Sequence, residues 1–383
     1  MNKLKMMIMA LGLGLGASAA LGQTVSTLWG PNINIDDCLT MDGQGNLYGS
    51  HYNGSAVYKI TPSGERTVYM GGFTTPNGLA LDGSGNLFVA DNRGNQVYRV
   101  TPDSQKIAFG PRITSPSGLI FDPHSDTLYV TTYTTNTILK LSPDGVYTPF
   151  LSGAPLNGPV GLAWDDQHNL YIANFNAGEI LRVVAPDSLV EIARIPGTSF
   201  GANGFLAYLD GNLYTTGIGV HRIYRIGLDG NTTVFAGTGE AGLTDGPADS
   251  ARFNRPNGIY ADAVNHRLLI SDYGTRTIRE ISGIATGIHG DARPLPQGYR
   301  LQQNFPNPFN PETVIRYHLS QNARVSLRVF DLSGREVAVL ADGEQGAGEH
   351  AVRFDGSAVA SGVYFYRLES GASAETRKMV LLR

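Results

Sequence analysis

Pro76-Asn77-Gly78-Leu79-Ala80-Leu81-Asp82-Gly83-Ser84-Gly85-Asn86-Leu87-Phe88-Val89-Ala90-Asp91 is the clearest copy of a phrase that the chain repeats six times. It reads as a tight opening turn, an apolar run, a Gly-rich reversal and a second strand that stops at an acidic residue. Two antiparallel strands joined in this way form a hairpin, and one hairpin alone cannot bury its faces in water. The phrase therefore has to recur.

With the Leu-aromatic pair of the second strand as a ruler, the copies fall at Leu47, Leu87, Leu128, Leu170, Leu213 and Leu268, in steps of 40, 41, 42, 43 and 55 residues. These steps lie near the four-strand blade period of β-propellers. The long last step reflects an insertion between Gly237 and Pro256. Third strands follow at Ala56 to Thr61, Gln96 to Thr101, Thr137 to Ser142, Glu179 to Val184, Arg222 to Gly227 and Thr277 to Ser282, where Val, Ile, Tyr or Leu alternates with Lys or Arg. The sixth copy lacks a fourth strand, whereas Thr24 to Trp29 is an orphan strand at the other end. The expectation is an all-β chain whose six-bladed propeller is closed by its N-terminal strand.

With 383 residues, 48 glycines and 20 prolines, the composition suits two turn-rich β domains. A net charge of -4 with both signs dispersed supplies no basic stripe, so nucleic acid is not an expected partner. Lys3 and Lys5, the apolar stretch Met6 to Leu15 and the small residues to Ala20 read as a signal peptide over residues 1–22. No later stretch reaches the ~20 apolar residues of a membrane helix, so no transmembrane segment is expected after cleavage. The single cysteine, Cys38, permits no internal disulfide and reads as a small buried filler.

The stretch Phe235-Ala236-Gly237-Thr238-Gly239-Glu240-Ala241-Gly242-Leu243-Thr244-Asp245-Gly246, with Ala251-Arg252-Phe253-Asn254-Arg255-Pro256-Asn257-Gly258-Ile259, resembles an NHL repeat. Residues 23–283 as a whole are similar to NHL and SMP-30/gluconolactonase-like six-bladed propellers. After a Gly- and Pro-bearing linker at 284–297, residues 298–383 resemble the C-terminal sorting domain of type IX secretion cargo. The resemblance rests on the Asn-Pro-rich opening Asn304-Phe305-Pro306-Asn307-Pro308-Phe309-Asn310-Pro311, on Asp331-Leu332-Ser333-Gly334-Arg335, on Ser361-Gly362-Val363-Tyr364-Phe365-Tyr366 and on the terminal Lys378-Met379-Val380-Leu381-Leu382-Arg383. It implies an Ig-like β-sandwich recognised by type IX secretion machinery, and a secreted or outer-membrane-associated protein.

Aligned opening turns put Asp37, Asn77, Ser117, Val160, Asn203 and Asn257 on a ring around the central channel. The ends of the second strands, His51, Asp91, Thr132, Asn174, Gly217 and Asp272, are expected on the same face one layer out. Two readings of the ring stand. Asp37, Asn77, Asn203 and Asn257 offer the oxygen donors that a hard cation such as Ca2+ takes, and SMP-30-like lactonases use such a ring around a metal that activates water. Here the chain departs from that family, with Asp37 where a Glu is usual and Val160 where an Asn is usual. Alternatively, Asn before Gly simply serves the turn, because Asn tolerates the left-handed region and bonds its own backbone.

In the binding reading the upper face takes a small molecule, glycan, peptide or protein, with His51, Ser117 and Asn174 lining the mouth. Asp91 and Asp272 are expected to bond loop amides within their own repeat. Gly237, Gly239 and Gly242 spell GxGxxG without a following helix, so no dinucleotide site is expected. Eight histidines without HExxH or i, i+4 pairing carry no zinc signature.

Overall fold

The computed structural model describes residues 22–122, 124–185, 188–196, 201–284, 299–331, 335–370 and 373–382. Apart from Gly22 and Ile284, the expected signal peptide and linker lie outside the described residues. The chain divides into two units, through Gly287 and from Ile288 onward. Apart from one 3-10 turn at Ile218–Val220, the regular elements among the described residues are all β-strands.

The first unit consists of six antiparallel sheets taken in chain order. Their innermost strands are Leu39–Met41, Pro76–Leu81, Pro116–Asp122, Pro159–Trp164, Leu206–Leu209 and Pro256–Asp262. Each packs against the innermost strand of the next sheet, and the sixth packs back on the first, so the sheets close a circle. Second strands such as Leu87–Asp91 and Leu170–Asn174 are buried along their whole length, whereas outer strands such as Arg66–Gly71 and Lys106–Ala108 are largely wet. The apolar alternation of the sequence thus becomes a buried hub with a solvated rim.

The reversal between the first two strands of a sheet is held by its own aspartate. Asp82 accepts the amides of Ser84 and Asn86, and Asp42 and Asp165 accept the corresponding pairs in their sheets. These are Asx turns, which is why Asp recurs at this point of the phrase.

Thr24–Trp29 pairs antiparallel with Thr277–Ser282 and supplies the fourth strand of the sixth sheet, as the sequence led us to expect. The insertion before Pro256 adds a further short strand, Gly246–Pro247, on the outer side of Thr24 and Val25. Beneath it Arg279, wholly buried, donates to Asp245 and to the carbonyls of Arg252 and Thr244. Its guanidinium lies over the Phe253 ring at 4.9 Å.

The second unit has a three-stranded sheet (Arg300–Leu301, Glu312–Leu319, Gly348–Asp355) and a four-stranded sheet (Ala323–Asp331, Glu336–Gln345, Gly362–Ser370, Ser373–Leu381). Ile315, Tyr317 and Leu319 of one share a core with Leu327, Tyr366, Leu368 and Leu381 of the other. The Asn-Pro-rich opening is anchored by buried Asn304, whose amide nitrogen donates to the Tyr366 hydroxyl and whose side chain donates to Thr313 and the Pro306 carbonyl.

Candidate functional site

The chain runs into each innermost strand at one end of the hub, where residues from all six sheets surround a cavity of about 360 Å³. Five of the six expected ring residues line it: Asp37, Asn77, Ser117, Val160 and Asn257. Asn203 is wholly buried and does not line it; Phe205 is the residue of that stretch in the wall.

The ring is tight because the residue after each ring position must let two backbones touch. A Cβ on Gly118 would lie 1.7 Å from the Val160 carbonyl oxygen, one on Gly258 1.9 Å from that of Asp37, and one on Gly78 2.0 Å from that of Ser117. Second-strand hydroxyls then pin the ring's backbone. Ser50 donates to the Asn77 carbonyl, Thr216 to that of Asn257 and Ser271 to that of Asp37, each at 2.6 Å. Cys38 replaces glycine at this step in the first sheet. Its buried sulfur accepts the Leu79 amide at 3.3 Å, and burial pushes its thiol far above the ordinary range.

This packing corrects the turn-based reading of the asparagines. None of Asn77, Asn203 and Asn257 has a positive φ, and their side chains do not fold back on their own backbone. Asn257 donates to Asp37 Oδ1 at 2.7 Å, while Asn203 donates to the carbonyls of Asn174 and Glu179 at 3.4 Å. Asp37 Oδ2, Asn77 Oδ1 and Asn203 Oδ1 are buried without a hydrogen-bond partner in the protein. Burial foremost, and then the neighbouring Asp36, raises the Asp37 carboxyl well above its usual range, against the bond from Asn257.

As a calcium cage the set is thin, since Ca2+ takes six to eight oxygens. Only one carboxylate is offered, Asn257 turns its NH2 toward it, and Asn203 stands outside the cavity wall. The donor set present therefore does not by itself make up a calcium site.

The ends of the second strands turn away from the cavity. Asp91 accepts the amides of Thr74 and Thr75, and Asp272 accepts that of Asn254, the intra-repeat role expected of both. Asn174 does the same, accepting the Asn157 amide and donating to the Pro155 carbonyl, so the structure places it in a loop anchor and not in the mouth. His51 pairs with Asp36 at 2.8 Å and borders a neighbouring, more open cavity of about 650 Å³.

What lines the mouth is the residue one step further along: Tyr52, Asn92, Tyr133, Phe175, Ile218 and Tyr273. Four of the six are aromatic. That enrichment was readable in the sequence but sits one residue past the strand end. The walls are tied together, with the Tyr133 hydroxyl donating to Asn176, Asn53 donating to the Tyr273 hydroxyl, and Tyr133 meeting Phe175 edge-on at 5.8 Å. The mouth and the neighbouring cavity share Asn53, Arg255 and Tyr273. His221 also borders the larger cavity. It accepts the Arg255 amide through Nδ1, and burial, with Arg255 adding to it, lowers its pKa.

Residues 30–242 match the family model described as the virginiamycin B lyase family, and residues 303–382 match the secretion system C-terminal sorting domain. Among curated proteins none matches the chain. Solved structures share the fold of the first unit. An auxiliary nutrient binding protein from Bacteroides thetaiotaomicron aligns with TM-score 0.58 at 17% identity, over 68% of this chain and 76% of that one. A gluconolactonase from Xanthomonas campestris gives 0.54 at 17%, over 67% and 88%. A catalytically inactive virginiamycin B lyase variant from Staphylococcus aureus with quinupristin gives 0.51 at 18%, over 67% and 83%. The propeller-like relatives and the sorting domain read from the sequence are both borne out, and the sorting domain assigns the protein to the secreted or cell-surface fraction.

Proposed function

The chain belongs to the virginiamycin B lyase family, and from that footing we propose that it is an exported binding protein whose mouth cavity takes a small, ring-bearing ligand. In this reading residues 23–283 form a six-bladed propeller, with the N-terminal strand completing the last blade. Residues 298–383 form an Ig-like sandwich that engages type IX secretion machinery.

One observation carries the binding reading: aromatic side chains line the mouth with amide side chains set among them. Tyr52, Tyr133, Phe175 and Tyr273 offer flat apolar faces, and Asn53, Asn77 and Asn92 offer amide groups beside them. Pockets that recognise sugars, aromatic groups or cyclic peptides combine stacking surfaces with a few fixed polar groups. The relative described as a nutrient binding protein has the same fold, and another was solved with quinupristin.

The test is calorimetric titration of the secreted protein with soluble oligosaccharides and with quinupristin, repeated on Tyr133→Ala and Tyr273→Ala. Saturable binding by wild type that both variants weaken supports the reading. No binding by any probe, or affinities unmoved by either substitution, removes it. The alternative is a calcium-dependent lactonase or related hydrolase with the ion among Asp37, Asn77, Asn203 and Asn257, favoured by the unpartnered oxygens of the first three. Calcium-dependent turnover of a lactone panel that Asn77→Ala abolishes would put this reading first.

A further inference from the structure

The innermost strands of the third and fourth sheets, Pro116–Asp122 and Pro159–Trp164, run away from the mouth. At about 3.3 Å per residue, seven residues carry the chain roughly 20 Å to the opposite end of the hub. There Asp122, His124 and His168 converge. The Asp122 Oδ1 atom lies 2.9 Å from His168 Nε2 and 3.6 Å from His124 Nδ1, and the two imidazole rings are 4.4 Å apart. One ligand atom from each of the three fits within 4.8 Å of the others.

We propose that Asp122, His124 and His168 form a site for a borderline divalent transition metal of the Zn2+, Ni2+ or Cu2+ class. Two imidazoles and a carboxylate are the donors these ions favour, and hard cations such as Ca2+ do not. Ligand bonds of about 2.0–2.2 Å in a tetrahedron separate the donor atoms by roughly 3.3 Å. The observed 2.9 and 3.6 Å bracket that spacing.

The carboxylate is prepared for the task. Asp122 is 4% exposed, and it accepts the Ser125 hydroxyl at 2.6 Å and the His124 amide at 2.9 Å, which fix its orientation. The outer side is open, because the His124 side chain is 72% and that of His168 38% exposed. Three protein ligands would hold the ion while a fourth position faces water. To bind the ion His168 must free Nε2: a neutral ring then carries its one proton on Nδ1, and an imidazolium releases one proton to solvent.

A related contact elsewhere separates a metal site from a plain inter-sheet tie. His266 Nδ1 reaches Asp210 Oδ2 at 3.0 Å between the turns of the sixth and fifth sheets. His168 and His266 both have positive φ in the turn after an innermost strand, and both reach back to the aspartate of the preceding sheet. Among the described residues no third donor joins the His266 pair, whereas His124 joins the His168 pair. The His168-Asp122 contact alone would serve as a tie, and His124 is the residue that a tie does not need.

Trp164 stacks on His168 with ring centroids 4.3 Å apart, and the only other tryptophan is Trp29. Cu2+ and Ni2+ quench a neighbouring indole, so the full-length secreted protein would be titrated with each ion while tryptophan emission is followed. Zn2+ and Ca2+ would be titrated by calorimetry. The expected result is saturable quenching that disappears in Trp164→Phe, together with 1:1 Zn2+ binding that Trp164→Phe retains and Ca2+ does not reproduce. His124→Ala should weaken Zn2+ binding by at least the roughly tenfold that even an outer-shell partner is worth, with an unchanged melting temperature in metal-free buffer. Zn2+ affinity unmoved by His124→Ala, or an equal loss in His266→Ala, overturns the proposal.

Discussion

Arg279 Nη2 and Asp245 Oδ1 meet at 2.7 Å, the arginine wholly buried and the aspartate half-exposed. The same carboxylate accepts the amide and the hydroxyl of Thr27, each at 2.9 Å. One aspartate in the insertion therefore holds both the closing strand and the strand it closes on. The insertion works as a latch over the place where the two ends of the first unit join.

Arg279→Met removes the buried cation, takes one of two donors from each of the Arg252 and Thr244 carbonyls, and leaves the buried Asp272 carboxyl, 3.7 Å away, without its ion-pair partner. Breaking a buried charge pair from one side costs about 3–5 kcal/mol. Chemical denaturation should show a loss of that size, while Asp245→Ala, removing the half-exposed partner, should cost less. A variant as stable as wild type would mean that the latch contributes nothing.

Removing Thr24–Trp29 exposes the edge of Thr277–Ser282 along its whole length. The truncated protein should melt well below wild type and be cut early by proteases within the sixth sheet. Unchanged melting and an unchanged digestion pattern would show that the circle stays shut without its clasp.

Two Gly→Ala exchanges should behave in opposite ways. At Gly118 the new methyl meets the Val160 carbonyl at 1.7 Å, whereas at Gly83 nothing lies within 4 Å. Overpacking of this kind costs roughly 3 kcal/mol or more when backbone is in the way. Urea midpoints should place Gly118→Ala far below wild type and Gly83→Ala beside it.

Asp37 sets a pH dependence whose sign follows from its environment. Burial and Asp36 raise its folded value above the ordinary 3.8, so its ionisation is harder in the folded state. The stability it contributes is whole below that ordinary value and is lost as pH rises through the folded value. Asp37→Asn should flatten the profile, with its largest advantage over wild type near pH 8 and little at pH 3.5. Melting curves across that range decide it, and parallel profiles would show that Asp37 does not titrate as its surroundings demand.

The repeats made the sheets legible because the Leu-aromatic pair and the turn aspartate recur at a nearly constant interval. The ring was legible too, since five of its six predicted members reach the cavity. The outer layer was not. Strand ends were assumed to face the mouth, yet Asp91, Asn174 and Asp272 are taken up by loop amides, and the chain presents the following residue instead. The reason for the glycine after five of the six ring residues was also hidden, because it lies in contact with the next repeat around the circle. His124 sits two residues from Asp122, but His168 belongs to the next sheet, and no spacing within one stretch of sequence could have joined it to them.

The clasp also fixes an order of events during synthesis. Thr24–Trp29 is made some 250 residues before its partner Thr277–Ser282, and contacts so distant in sequence are slow to form. The strand must wait, unpaired, until the last repeat has been made. The sorting domain follows that repeat in the chain, so a polypeptide that can present its export signal already contains every segment needed to close the circle.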